Sequence, residues 1–197
     1  MRKRGLGPWI CRAAVMLALG MLIPHETQAG SAGHDQPPVG VVLDPLFKLI
    51  AHDGRSVTRS DVRGKPFVVL FGYTNCDDVC PTSLFEVSVL LSGLGPQGDR
   101  LPVLFVTIDP ENDTPQQLKT YLEAFDSRII GLTGSHDQVA AVAAAFAAPL
   151  NKAQAGEEGK KHLSQLFFMD RYGLLARPVN YTATETVGAV AKRLLAQ

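Results

Sequence analysis

Cysteine and net charge are both scarce in this chain, and each shortage narrows what it can be. Its 197 residues include three cysteines and one tryptophan, and 19 basic residues are balanced by 19 acidic ones. Three cysteines cannot supply the dense cross-linking of a disulfide-stapled miniprotein. A formal net charge of zero, with no dense Lys/Arg cluster beyond the first residues, argues against nucleic acid as a partner. No internal repeat and no second domain are visible. The apolar run near the N-terminus, Ala13 to Ile23, falls short of the roughly 20 residues a membrane span needs.

That run follows Met1-Arg2-Lys3-Arg4 and Arg12 and precedes Pro24 and a polar stretch, which is the order of an export signal. Thr27-Gln28-Ala29 offers a cleavage site, so residues 1–29 are expected to be removed, with retention as an anchor the alternative. Cys11 would leave with the signal. Residues 30–44, with Pro37-Pro38, read as an extended leader, and residues 45–197 as one domain. The protein is thus expected to be exported, to the periplasm or the outer face of the inner membrane in a bacterium. Contact with a membrane is expected only through the N-terminal run.

Within the domain, Leu46 to Ile50 and His52 to Val57 read as two short strands around the Asp53-Gly54 turn. Ser60 to Pro66 reads as a polar connection. Phe67 to Phe71 is a continuous apolar run suited to a strand buried on both faces. Pro81 opens a helical pattern through Leu84, Val87, Leu91 and Leu94 that Gly95-Pro96 ends. A second buried strand, Leu101 to Ile108, leads to a helix with Thr114 as N-cap and Pro115 at its first position. Ile129 to Leu132 is a short strand, Ser135 to Ala147 a helix, Leu166–Met169 and Leu174–Val179 a hairpin, and Thr184 to Leu195 a closing helix. Alternating strands and helices followed by a hairpin predict an α/β fold of thioredoxin-like type. It has a central mixed sheet flanked by helices, an N-terminal strand extension and an insertion before the last hairpin.

The two cysteines expected in the mature chain, Cys76 and Cys80, fall where the first buried strand gives way to a helix. With Pro81 in the first turn, Cys80 sits near the N-cap, where the helix dipole and free N–H groups favour thiolates. Both sulfurs are expected as anions near neutral pH, with Asp77 and Asp78 opposing. Residues four apart on a helix hold their Cβ atoms about 5–6 Å apart, wider than the 3.5–4.5 Å of a disulfide. A metal held between two sulfurs tolerates that gap, and a disulfide stays open because Cys76 falls in the loop. A purely structural bridge is disfavoured, since a five-residue loop constrains the unfolded chain little.

Two thiolates leave a copper or zinc site incomplete. Of the histidines in the mature chain, His34 lies in the leader, His136 at a helix start and His52 beside a turn. His162 lies between the polar segment Gln154 to Lys161 and the strand Leu166 to Met169, where a loop could bring it over the cysteines. An exposed histidine beside Lys160 and Lys161 is the alternative.

Three segments resemble the Sco/SenC family: Gly72-Tyr73-Thr74-Asn75-Cys76-Asp77-Asp78-Val79-Cys80-Pro81, then Val106-Thr107-Ile108-Asp109-Pro110-Glu111-Asn112-Asp113-Thr114-Pro115, then Ala124 to Gly134. The resemblance spans roughly residues 40 to 195 and implies a copper-binding, thioredoxin-like protein that helps assemble the binuclear copper centre of cytochrome c oxidase. It implies Cys76, Cys80 and His162 as copper ligands. It also implies a copper-accepting oxidase subunit as partner, with other periplasmic copper carriers or thioredoxin-like reductases as further partners. Asp109 matches a family aspartate, read as a residue behind the ligands or at the partner contact, with loop capping the alternative. Asn75 stands where many members have histidine, and Lys161-His162-Leu163-Ser164 where many read Asp-His-Ser. The competing function is a thiol-disulfide reductase in which Cys76 and Cys80 are a redox-active pair, an enzyme-like activity in an otherwise non-catalytic chaperone. Thr74 before Cys76 also allows a peroxidase reading, which lacks a supporting arginine.

Overall fold

The computed structural model describes residues 47–148 and 163–197. The expected signal, the leader, His34, His162 and the polar segment before it lie outside these residues.

Seven strands form one sheet in the order β2-β1-β5-β4-β3-β6-β7. The strands are β1 (Lys48–Ala51), β2 (Ser56–Thr58), β3 (Phe67–Gly72), β4 (Val103–Thr107), β5 (Ile129–Thr133), β6 (Gln165–Met169) and β7 (Leu175–Asn180). β3, β4 and β5 run parallel, and every other pairing is antiparallel. The helices are α1 (Arg59–Val62), α2 (Val79–Leu94), α3 (Pro115–Leu122), α4 (His136–Ala145) and α5 (Thr184–Leu195), with a 3₁₀ turn at Gly95–Arg100. This is the thioredoxin-like arrangement expected, with the hairpin β1–β2 added at one edge.

β3 and β4 are buried along their whole length because both faces of the sheet are covered. Val68, Leu70, Val103 and Phe105 pack with Leu84, Val87 and Leu91 of α2, Leu118 of α3 and Ala191 of α5. Phe67, Val69, Phe71, Leu104 and Val106 pack on the other face with Val139, Val142 and Phe146 from α4 and its C-terminus, and with Val62 of α1. The period of two along each strand divides its side chains between these layers. Val79–Arg100 is long and apolar enough to cross a membrane by composition, but here its apolar stripe lies on the sheet.

Caps fix several boundaries. The hydroxyls of Thr114 and Ser135 accept from the N–H of Gln117 and Gln138, opening α3 and α4 at the residues expected. Two elements depart from expectation. α1 starts one residue before the stretch read as a polar connection and takes up its first three residues, set by a capping box in which the N–H and hydroxyl of Thr58 both donate to Asp61, each at 2.8 Å. α2 begins at Val79, two residues before Pro81, because the missing N–H of a proline costs nothing anywhere in the first turn.

Candidate metal and thiol centre

The cysteine loop leaves the C-terminal end of β3, between two hydrogen-bonded neighbours in the middle of the sheet. The carboxyl ends of parallel strands are where open α/β sheets place their ligands. Gly72 closes the strand with no room for a side chain: a Cβ there would lie 2.5 Å from Cε2 of Phe105 and 3.0 Å from Sγ of Cys80. The absence of a side chain lets the ring and the sulfur rest on the backbone.

A second loop braces the first. Asp113, fully buried after β4, accepts the Thr74 N–H at 3.1 Å, the Thr74 hydroxyl at 2.6 Å and the Thr107 hydroxyl. Asp109 closes its own loop instead. Its Oδ1 accepts from the Asn112 side chain at 2.9 Å, and its carbonyl accepts from the N–H of Asn112 and Asp113. The loop-capping alternative therefore describes its visible contacts, and the residue tying the cysteine loop to β4 is one the sequence did not single out. Burial of an aspartate is hard to read without knowing where the strand ends. The signals were the Thr74 and Thr107 hydroxyls, each just beyond or at the end of a buried strand.

Cys76 and Cys80 are both free thiols, the first half-buried and the second buried. The Cys76 sulfur accepts the backbone N–H of Cys80 at 3.4 Å, so Cys76 takes the anion-favouring position at the start of α2, while Cys80 lies inside the first turn. Hydrogen bonding from the Cys80 thiol lowers the Cys76 pKa to about 6. Burial works against this, and N–H groups of Cys80 and Asp78 and the Tyr73 hydroxyl reinforce it. Cys80 moves strongly upward, first because it holds the shared proton against Cys76 and then because it is buried. The expectation of two anions near neutral pH is thereby corrected: the pair holds one thiolate and one thiol. Hydrogen bonds at the helix start outweigh the two exposed aspartates beside it.

The phenol of Tyr121 faces the same region. Its pKa is raised by burial first and by the two cysteines next, its ring lies 6.1 Å from that of Phe105, and its buried hydroxyl has no hydrogen-bond partner among the described residues.

The histidines separate clearly. His136 is exposed at the start of α4. His52 is a turn residue as expected, its Nδ1 accepting the Gly131 N–H at 2.9 Å and so pinning the β1 turn to β5. His162 lies outside the described residues, but the residue after it does not: Leu163 is buried in the layer that holds Cys80, and its carbonyl is 3.5 Å from the Ser83 hydroxyl of α2. Among the described residues no group of three or more His, Cys, Asp or Glu side chains is arranged to hold a metal.

The SCO1/SenC family model matches residues 37–195. The chain belongs to the SCO1/SenC family. Protein SenC of Rhodobacter capsulatus is 32% identical over 166 residues, covering 80% of this chain and 75% of that one. Protein sco1 of Schizosaccharomyces pombe is 40% identical over 98 residues, and a SCO2-like protein of Rickettsia felis 37% over 134. These matches span 37% and 64% of those two proteins, and 49% and 68% of this chain. The copper-bound structure of ScoI from Bradyrhizobium japonicum superposes with a TM-score of 0.65 at 36% identity, covering 75% of this chain and 96% of that one. Copper-bound yeast Sco1 gives 0.62 at 28%, with 74% and 90% covered.

Proposed function

We propose that this SCO1/SenC protein is a copper metallochaperone that binds Cu(I) or Cu(II) through Cys76, Cys80 and His162 and passes it to the copper-accepting subunit of cytochrome c oxidase. The observation that carries the reading is a thiolate held at the start of α2 with a second sulfur beside it, in a chain whose relatives have been determined with copper bound. Soft thiolates suit Cu(I), and an imidazole lets one site serve Cu(II) as well. The Leu163–Ser83 contact supports His162 as third ligand, because it sets the backbone next to that histidine one turn along α2 from Cys80. An exported or membrane-anchored location outside the cytoplasm belongs to the same reading.

Copper titration of the reduced protein tests it. Cys76→Ala and Cys80→Ala are expected to abolish tight binding, and His162→Ala to weaken it and change the thiolate-to-Cu(II) charge-transfer bands. Unchanged affinity in all three variants would sink the proposal.

The split acidities favour a second reading, a thiol-disulfide reductase acting on the acceptor's cysteines. The Cys76 thiolate would attack one sulfur of the target disulfide, expelling the other as a thiolate. Cys80 would then attack Cys76 in the mixed disulfide, giving up its proton and releasing the second target thiolate, so that the target gains two electrons and the pair becomes a disulfide. Here His162→Ala leaves the rate of target reduction unchanged, and either cysteine variant abolishes it.

A further inference from the structure

We propose that the end of the domain away from the cysteines is a docking face for anionic phospholipid headgroups. It is built from three arginines that the sequence keeps apart. Arg59 and Arg63 come from α1 and the residue after it, and Arg171 from the turn between β6 and β7. The two segments are joined by the Gly64 N–H donating to the Arg171 carbonyl at 3.1 Å and by Nη2 of Arg59 donating to the Tyr172 carbonyl at 3.3 Å. With Ser60, Gly64 and Tyr172 the arginines line an open hollow of about 630 Å³ that has no acidic residue on its wall. Among the described residues the arginine ion pairs involve Arg55 and Arg128, so these three guanidinium groups have no carboxylate partner there. The neighbouring acids are engaged: Asp61 accepts from Thr58, and Oδ1 of Asp170 accepts the N–H of Tyr172 and of Leu174. Three like charges around one hollow repel one another, and a phosphate, whose oxygens match the guanidinium fork, relieves that repulsion.

Two observations make the phosphate that of a lipid. The hairpin tip carries Tyr172 at 68% exposure and Leu174 at 40%, and the Arg171 guanidinium lies 5.8 Å from the centre of the Tyr172 ring. An exposed aromatic and an exposed aliphatic side chain beside arginines suit an interface with an apolar layer beneath charged headgroups, and a dissolved phosphate has no use for them. In addition, Lys48 pairs with Thr58, the residue before Arg59, so the described chain enters the domain next to α1, and where the apolar run Ala13 to Ile23 is retained rather than cleaved that chain is tied to a bilayer. β3 separates the two ends: Phe67 begins next to the arginine turns and Gly72 ends at the cysteine loop, a distance of about 17 Å at the usual strand rise. A domain docked through the arginines holds Cys76 and Cys80 clear of the headgroups and open to a partner.

The test uses the full chain with Trp9→Phe and Tyr172→Trp, so that its one indole reports from the hairpin tip. The protein is reconstituted in vesicles of phosphatidylcholine alone or mixed with phosphatidylglycerol, each carrying lipids brominated near the headgroup. Quenching is expected with phosphatidylglycerol, fading as salt is raised and weak in phosphatidylcholine alone. Arg63→Gln with Arg171→Gln should lower the docked-to-free ratio about fivefold per arginine, and the paired lysine replacements should retain it. Equal quenching in the two vesicle types, or no response to salt, overturns the proposal on the Trp-bearing chain alone, without reliance on the arginine variants. Loss of quenching on adding inorganic phosphate at matched ionic strength also overturns it, assigning the hollow to a soluble anion.

Discussion

Replacing Asp113 is the sharpest probe of how the site is held. Its side-chain oxygens take three donors, the N–H and hydroxyl of Thr74 and the hydroxyl of Thr107, with no exposure to water. At about 1 kcal/mol net for each buried hydrogen bond, Asp113→Ala should destabilise the reduced domain by about 3 kcal/mol. For a domain of this size that lowers the melting temperature by roughly 6–12 °C. Asp113→Asn keeps one acceptor oxygen but turns an NH₂ toward donors, so it should lose about half as much. Urea unfolding followed by circular dichroism measures both, with the midpoint moving and the slope unchanged. A second readout is specific to the site. Asp113 is one of the groups that raise the Cys80 pKa, so Asp113→Asn should bring Cys80 alkylation to lower pH. A loss below about 1 kcal/mol for Asp113→Ala, together with an unmoved Cys80 profile, would refute the bracing role of this buried carboxylate.

The alkylation rate of Cys76 with iodoacetamide should rise with pH through a midpoint of about 6, and Cys80→Ala should move that midpoint upward by removing its largest hydrogen-bond donor. The sign for stability follows from the same shift. The unfolded thiol holds its proton up to about pH 9 while the folded one gives it up near 6, so this group's stabilisation is present above 9 and fades as pH falls toward 6. A midpoint in the ordinary thiol range for the intact pair would contradict the shared proton. Gly72→Ala should cost about 1–3 kcal/mol by overpacking against Phe105 and should slow copper uptake by displacing the Cys80 sulfur. Wild-type uptake kinetics in that variant would show that the loop absorbs the methyl.

The sheet was legible in the sequence wherever burial was total. The run Phe67 to Phe71 could be nothing but a central strand, and Thr114-Pro115 and Ser135 marked helix starts by local hydrogen bonding alone. The missed features are of two kinds, local contacts too short to show in any periodicity and partners distant in sequence. α1 is four residues long and carries one buried side chain, so no apolar periodicity announces it; only the Thr58/Asp61 box does. The division of acidity between Cys76 and Cys80 needed the position of one sulfur over the other's N–H group, which spacing alone leaves open. Asp113 and the convergence of Arg59 and Arg63 with Arg171 depend on which strand ends meet, and a neutral overall composition concealed the second.

The buried aspartate also has a mechanical meaning. Because Asp113 clamps the loop after β3 to the end of β4, the cysteine loop moves as part of the sheet. The thiol pair thus has one wall fixed to the sheet, and an arriving partner meets Cys76 and Cys80 at positions set by two strand ends and not by a free loop.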